Sequence, residues 1–433
     1  MQDMNEPSNF VDGTAVGHCG PEVLPYRPHM DPLATHTLCA DAKHHGGLHK
    51  DLHNIYGLLE ARATNYALSE IRGKRPFIIS RSSFAGLGRL AGHWSGDISS
   101  AWHDMRMTVP ELLNFAIFGV PLMGADICGF TGDATPELCR RWMQLGAFYP
   151  FSRNHNSDTS KDPASMGAAV VRASRRALRL RYRLLPLYYT LFWRAHVFGD
   201  SVVRPLFFEW SDNEAVYDID DQFMVGPYVM VTPILTEGAT YATPYFPGSQ
   251  LWYNIVDGAF LAKNTTRNVT EDQTVAVKGG AILPLQEPPV HGPVSTSNTR
   301  SSPMQLIVIP SDMNKAFGEL YWDDGDSPNT YDEKKYSHIE FYLNRTNLTS
   351  VVKWWGYGVP PINNITVFAQ PAVTGVTYND YPCEKPRCQY AYIPKTKVLH
   401  IYNINVSMDK AINIQWSYKQ NKRVAGTFTR LSG

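Results

Sequence analysis

Pro76-Phe-Ile-Ile-Ser80 is short, apolar and carries two adjacent β-branched residues, the composition of a parallel strand covered on both faces. Pro121-Leu-Met-Gly-Ala125 is a second strand of this kind. Phe148-Tyr-Pro-Phe-Ser152 is a third, weakened by Pro150, which has no N–H to give to a ladder. Helical patterns stand between them: 54–70, with Leu58, Leu59, Ala61 and Ala67, then 110–118, 136–146 and a long one over 164–199. Pro110 and Pro136 suit first-turn positions of their helices. Strands alternating with helices over the first 199 residues mean a parallel sheet, open or closed, with helices outside it.

After Asp200 the texture changes. Candidate strands at 202–209, 228–234, 274–285 and 304–309 run between Gly, Pro and Asn turns, and no strong helix follows to Gly433. This is the pattern of antiparallel β structure, two small sandwiches in series. The Pro/Ser/Thr/Gly-rich stretch from Pro288 to Pro303 is the best internal boundary. The expected division is 1–199, 200–288 and 289–433. Residues 11–52 form one long irregular segment, a length usual for functional loops.

Lys+Arg 40 against Asp+Glu 40 leaves no excess positive charge, which argues against nucleic acid as a partner. No uncharged run is long enough to span a membrane, and the most apolar helical stretch is studded with arginines from Arg172 to Arg183. The cysteines Cys19, Cys39, Cys128, Cys139, Cys383 and Cys388 contain no Cys-x-x-Cys pair, so a zinc ribbon is not indicated. Their even number permits three disulfides. Asn264, Asn268, Asn344, Asn347, Asn364 and Asn405 each head an Asn-x-Ser/Thr sequon in strand-and-turn sequence. Disulfide-permitting cysteines and glycosylation acceptors together favour a lysosomal or secreted, extracellular compartment.

Two acidic positions stand out. Asp3 and Glu6 flank a proline turn in Asp3-Met-Asn-Glu-Pro-Ser-Asn-Phe10, an economical way to aim an acid into a cleft. Asp97 closes Gly92-His-Trp-Ser-Gly-Asp97, where Trp94 offers an apolar wall able to desolvate a carboxyl and stack on a sugar face. Cleaving a glycosidic bond takes two flanking carboxylates, and Asp3 and Asp97 are the candidates. Each alone is also an ordinary cap or turn residue.

Order makes them specific. The blocks at 3–10, 79–86 (Ile79-Ser-Arg-Ser-Ser-Phe-Ala-Gly86), 92–97, 124–130 (Gly124-Ala-Asp-Ile-Cys-Gly-Phe130) and 151–155 (Phe151-Ser-Arg-Asn-His155) follow one another as in the retaining α-glucosidases of glycoside hydrolase family 31. The chain resembles that family's lysosomal acid α-glucosidase and maltase/sucrase-isomaltase branch along essentially its whole length. Ala281-Ile-Leu-Pro-Leu285 and Tyr321-Trp-Asp-Asp-Gly325 resemble its C-terminal β-domains.

The resemblance implies an α/β plus all-β chain: the second half of a (β/α)8 TIM barrel followed by two antiparallel β-sandwich domains. It implies Asp3 as nucleophile, Asp97 as general acid/base and Glu6 as an assistant at the nucleophile turn. Arg81 would hydrogen-bond sugar hydroxyls and balance the acids. Trp94 and Phe130 would wall a glucose pocket and Met4 would floor it. Asp126 would orient Arg81 or a hydroxyl, and His155 would bind a hydroxyl of the terminal glucose. By the same likeness Cys19–Cys39 and Cys128–Cys139 would be disulfides; Cys383–Cys388 is a local expectation. The implied function is a retaining exo-α-glucosidase acting on terminal α-linked glucose of maltose-type oligosaccharides or glycogen/starch, needing no cofactor or metal. Its carboxyls would stand about 5–5.5 Å apart. A barrel entered at its fourth strand lacks half its ring, so this chain alone is expected to be weak or inactive. The alternative is a non-catalytic carbohydrate-binding or structural remnant.

Two other signals carry little. Gly86-Leu-Gly-Arg-Leu-Ala91 fits a dinucleotide fingerprint by letter, but no continuing helix follows it. His44, His45, His49 and His53 lack the glutamate a zincin needs and are expected on a solvent-facing loop and helix start.

Overall fold

The computed structural model describes residues 1–22, 24–25 and 31–418. Its first part is a fan of short parallel strands. Gln2 bridges to Ser80, Ile79–Ser80 pairs with Gly92–Trp94, and that strand pairs with Met123–Gly124. Asp126–Ile127 then pairs in parallel with Arg153–Asn154. Such pairs need covering crossovers. The helices Trp102–Ile117 and Pro136–Gly146 supply two, burying Met105, Val109, Leu112 and Leu113 from the first and Leu138, Trp142 and Leu145 from the second. Thr135 caps the latter by accepting from the Leu138 N–H at 3.2 Å, with Pro136 in the first turn as expected.

Several local expectations shift. Pro110 lies inside Trp102–Ile117, not at its start. The long helix over 164–199 is two helices, Ala168–Arg183 and Leu185–Phe198, broken at Leu184. Pro186 accounts for the break: it has no N–H to continue the ladder and sits in the first turn of the second helix. Phe148–Ser152 is not a strand, and the ladder begins at Arg153. The apolar run 274–285 is two strands, Val275–Lys278 and Ala281–Gln286, separated by Gly279 and by Gly280 in the left-handed region. A short helix, Thr296–Arg300, interrupts the connection before the last domain.

The β part has two main sheets. Six antiparallel strands run in the order Phe260–Ala262, Trp252–Asn254, Val275–Lys278, Val229–Val231, Phe223–Val225 and Val203–Arg204. An eleven-stranded sheet, counted among the described residues, carries the rest and includes Ala281–Gln286, Met304–Ile309 and Lys315–Trp322. Ala281–Gln286 precedes the expected division at 288, yet its ladder is with distal strands: antiparallel to Met304–Ile309, and parallel to Lys315–Trp322 at Ala281 and Phe317. Met304–Ile309 also pairs in parallel with Ile362–Val367, so the large sheet is mixed.

The units share a core. Leu187, Leu191, Val225, Val277, Leu283 and Ile309 belong to one continuous buried cluster, and the helix Leu185–Phe198 packs on both Ala281–Gln286 and Lys315–Trp322. A polar junction reinforces it. Asp323 is fully buried and accepts hydrogen bonds from Arg75 Nη2 (2.5 Å), Thr330 Oγ1 (2.5 Å), Tyr321 OH (3.1 Å) and Tyr189 OH. The sequence presents Asp323-Asp324-Gly325-Asp326 as a plain hairpin turn. In the fold it is the seam between the barrel and the distal sheet.

Candidate active site

The expected catalytic and sugar-binding residues lie along the short parallel strands and the turns that follow them, Trp94 and Asp126 within strands and Asp3, Arg81, Asp97, Phe130 and His155 beyond them, toward the face where a barrel exposes chemistry. Gln2 is held as a strand by donating to Ile79 O (2.8 Å) and accepting from the Arg81 N–H (3.0 Å), so Asp3 emerges beside Arg81. Asn5 fixes the turn that follows: its amide donates to Ser80 Oγ at 2.8 Å, and its Oδ1 accepts from the Ser82 N–H at 3.0 Å. Met4 is in the left-handed region at φ 56°, a conformation a side-chain-bearing residue adopts at some cost unless its surroundings enforce it. There its N–H donates to Asp3 Oδ1 at 2.8 Å.

Arg81 joins the acids. Its Nη1 is 3.1 Å from Asp3 Oδ1, while Nε and Nη2 donate to the two oxygens of Glu6 at 2.9 and 3.1 Å. This is the bidentate geometry that suits guanidinium and carboxylate. Burial pushes the Glu6 carboxyl up, but the Arg81 hydrogen bonds and charge outweigh it and hold Glu6 below its ordinary value. Hydrogen bonding to Glu6, aided by the charges of Asp3 and Asp97, raises Arg81. Asp97 is exposed and follows Gly96, whose φ of 71° favours glycine; a β-carbon there would lie 3.1 Å from Arg81 Cδ.

The second half of the site is built on Asp126. Its side chain is buried; Oδ1 accepts from Arg153 Nη2 at 2.5 Å, and Oδ2 has no hydrogen-bond partner among the described residues. Burial raises this carboxyl against the pull of Arg153. Asp126 thus pairs with Arg153, where the family likeness offered Arg81 or a hydroxyl. Arg153 also lies 5.7 Å over the Trp94 ring, and Trp94 is only 1% exposed. Phe130 and His155, both half-buried, stand with ring centroids 5.1 Å apart. Phe130 is tied to the Asp97 loop by its N–H, which donates to Ile98 O at 2.7 Å.

The supporting loops are pinned. Disulfides join Cys19–Cys39, Cys128–Cys139 and Cys383–Cys388, with Cα separations of 5.3, 4.7 and 5.0 Å. Lys161, 1% exposed, donates to the carbonyls of Gly129 (2.9 Å) and Phe130 (2.7 Å). The long loop reaches the nucleophile turn through Thr37, whose hydroxyl donates to Pro7 O, and through the Asn9 N–H, which donates to His36 O at 2.7 Å.

Sequence reasoning missed four participants. Arg153 stood inside a quoted block without a role. Lys161 lies beyond the blocks. Asn5 was read only as part of its motif. The histidines differ most from expectation: His49 is fully buried, with Nδ1 3.1 Å from His44 Nε2 and Nε2 3.0 Å from His53 Nδ1. Burial lowers His49 to about 4. The spacing of four between His49 and His53 was the available signal, since it places both on one helical face.

A scaffold of short parallel strands with covering helices, and arginine-bound carboxylates at the strand ends, places the chain in the class of α/β barrel proteins. Sequence comparison sharpens this. The Glycosyl hydrolases family 31 TIM-barrel domain matches residues 1–191 and the Glycosyl hydrolase family 31 C-terminal domain matches residues 199–283. The chain belongs to glycosyl hydrolase family 31. It is 40% identical to lysosomal alpha-glucosidase of Mus musculus over 96% of this chain and 46% of that protein. It is 37% identical to intestinal sucrase-isomaltase of Oryctolagus cuniculus over 96% of this chain and 23% of that protein. Among solved structures, a Tris-bound glucosidase II alpha subunit superposes with a TM-score of 0.81 at 29% identity, covering 96% of this chain and 45% of that one. The chain spans less than half the length of these relatives. Among the described residues no helix is long and apolar enough to cross a membrane.

Proposed function

We propose that this chain carries the catalytic carboxylates of a retaining exo-α-glucosidase that removes terminal α-linked glucose from maltose-type oligosaccharides or glycogen/starch. One observation carries the reading: the Arg81 guanidinium binds Asp3 and Glu6 and feels the charge of Asp97, so three carboxylates gather about one cation at the strand ends. In this scheme Asp97 protonates the glycosidic oxygen as Asp3 attacks the anomeric carbon from the opposite face. A β-linked glucosyl ester forms on Asp3. Water, giving its proton to Asp97, then breaks that ester, and two inversions restore the α configuration.

Arg81 holds the nucleophile aimed, and Glu6 gives the same guanidinium a second acceptor. The Arg153–Asp126 pair over Trp94 would shape the pocket wall, with Phe130 and His155 opposite and Met4 beneath. The sequons at Asn264, Asn268 and Asn405 are on exposed residues, and Asn344 likewise, which supports glycosylation in a lysosomal or secreted setting.

The test is turnover of p-nitrophenyl α-glucoside by this chain and by its Asp3→Asn and Asp97→Asn variants. Release of α-glucose as first product, lost in both variants, supports the scheme. Turnover unchanged in Asp3→Asn, or β-glucose as first product, would overturn it.

A further inference from the structure

A cavity of about 230 Å³ lies between the barrel helices and the six-stranded sheet. It is not the candidate active site. Of the residues that line it, Gln144 is in the last turn of the helix Pro136–Gly146, and Phe148 stands between that helix and the strand Arg153–Asn154. That is the barrel end opposite Asp3 and Asp97.

One wall is the helix Ala168–Arg183, which presents Arg176, Arg179 and Arg183. The facing wall presents Glu271, Asp272 and Glu287. Arg176 pairs with Asp272, Arg179 Nη2 is 3.3 Å from Glu287 Oε1, and Arg183 Nε is 2.9 Å from Glu287 Oε2. Gln144 adds an amide, 3.4 Å from Glu271 Oε2, and Asn254 adds a second.

Three guanidinium groups and three carboxylates line the cavity, and Arg141 and Arg140, outside its lining, lie 2.9 and 3.9 Å from Glu271 Oε2, so the wall is made of paired charges rather than a field of one sign. Each pair can instead receive a hydroxyl, which donates to the carboxylate and accepts from the guanidinium. Such charge-assisted hydrogen bonds are about twice as strong as neutral ones. The buried Phe148 and Val275 give the apolar surface against which the C–H face of a ring can lie. The volume is below the roughly 300–1,000 Å³ of sites that take drug-sized ligands.

We propose that this interdomain cleft binds a neutral pyranose, one or two sugar rings long, independently of the catalytic carboxylates. A bound sugar would touch both the barrel and the proximal sheet, and so would stabilise their junction.

Hydrogen exchange read by mass spectrometry on the full chain tests this with glucose as the probe and sodium phosphate as the charged comparison. Glucose at twice its dissociation constant should slow local opening by about threefold in 173–180 and 271–276. Phosphate should not. Glu287→Gln, which removes the charge and one of the two acceptor oxygens shared by Arg179 and Arg183, and Arg179→Gln, at a half-exposed position, should each weaken the protection. Protection confined to the neighbourhoods of Asp3 and Asp97 would overturn the proposal. So would protection by phosphate in place of glucose, or protection unchanged in both variants. Because the readout is local, its failure leaves the catalytic scheme standing, and failure of that scheme leaves this cleft untouched.

Discussion

Arg81 Nη1 stands 3.1 Å from the Asp3 carboxylate while the rest of the same guanidinium grips Glu6. The proposed nucleophile is therefore oriented by a cation that is itself oriented by a second acid. An ammonium cannot reproduce this, because lysine offers a point charge and no planar fork. Arg81→Lys is expected to lower kcat/KM on p-nitrophenyl α-glucoside by on the order of 10²-fold, the loss typical of one preorganised electrostatic contact. Wild-type kinetics in that variant would remove Arg81 from the site.

Glu6 and His49 each contribute to the pH dependence of stability. Both release protons more readily folded than unfolded, Glu6 through Arg81 and His49 through burial beside His44 and His53. The unfolded chain therefore binds more protons, and stability falls as pH falls. For His49 the window runs from its ordinary value of 6.5 down to about 4. Glu111, pushed up by burial to about 7, works in the opposite sense over the same range, so the His49 part is read as a drop of several degrees between pH 6.5 and 4 in the wild-type melting temperature relative to that of His49→Gln. A profile unchanged in that variant would show that the trio is not the sensor.

Gly57 tests the route from helix to nucleophile. A β-carbon there would lie 2.5 Å from Ser82 Cβ and 2.7 Å from Asn5 O. Helix propensity alone would reward Gly57→Ala by about 1 kcal/mol. Overpacking costs about 1–3 kcal/mol, and here it pushes on the turn that carries Asp3. The expected result is a lower melting temperature together with a lower kcat. A stabilised, fully active variant would show that this contact yields freely.

Asp323 tests the seam. Asp323→Ala strands Arg75 and three hydroxyls that now converge on one buried carboxylate. Breaking a buried pair costs about 3–5 kcal/mol, and the partial exposure of Arg75 puts this one at the lower end. Denaturant unfolding should show the loss, with the barrel and distal sheet separating into two transitions if the seam couples them.

The sequence was most legible where chemistry is written locally. The blocks around Asp3, Arg81, Asp97, Asp126 and His155 carry their residue types in fixed order, and the Met304–Ile309 strand was readable to the residue because five apolar residues, three of them β-branched, stand with Gln305 between turns. It was least legible where a long-range partner decides the outcome. Asp323 sits in a run that spells a turn, and Arg75 and Tyr189, far upstream, join Tyr321 and Thr330 in making it a buried hub. His49 sits among polar neighbours, and its burial comes from packing beside His44 and His53. The helix break at Leu184 had a local signal in Pro186, outweighed in reading by the continuous apolar and arginine pattern around it.

Lys161 has a practical consequence. Its amine is sealed from solvent while it clasps the carbonyls of Gly129 and Phe130. An acylating reagent can reach that nitrogen only when the clasp lets go. The rate at which Lys161 becomes modified is therefore a clock, built into the chain, for how often its hold on Gly129 and Phe130 opens.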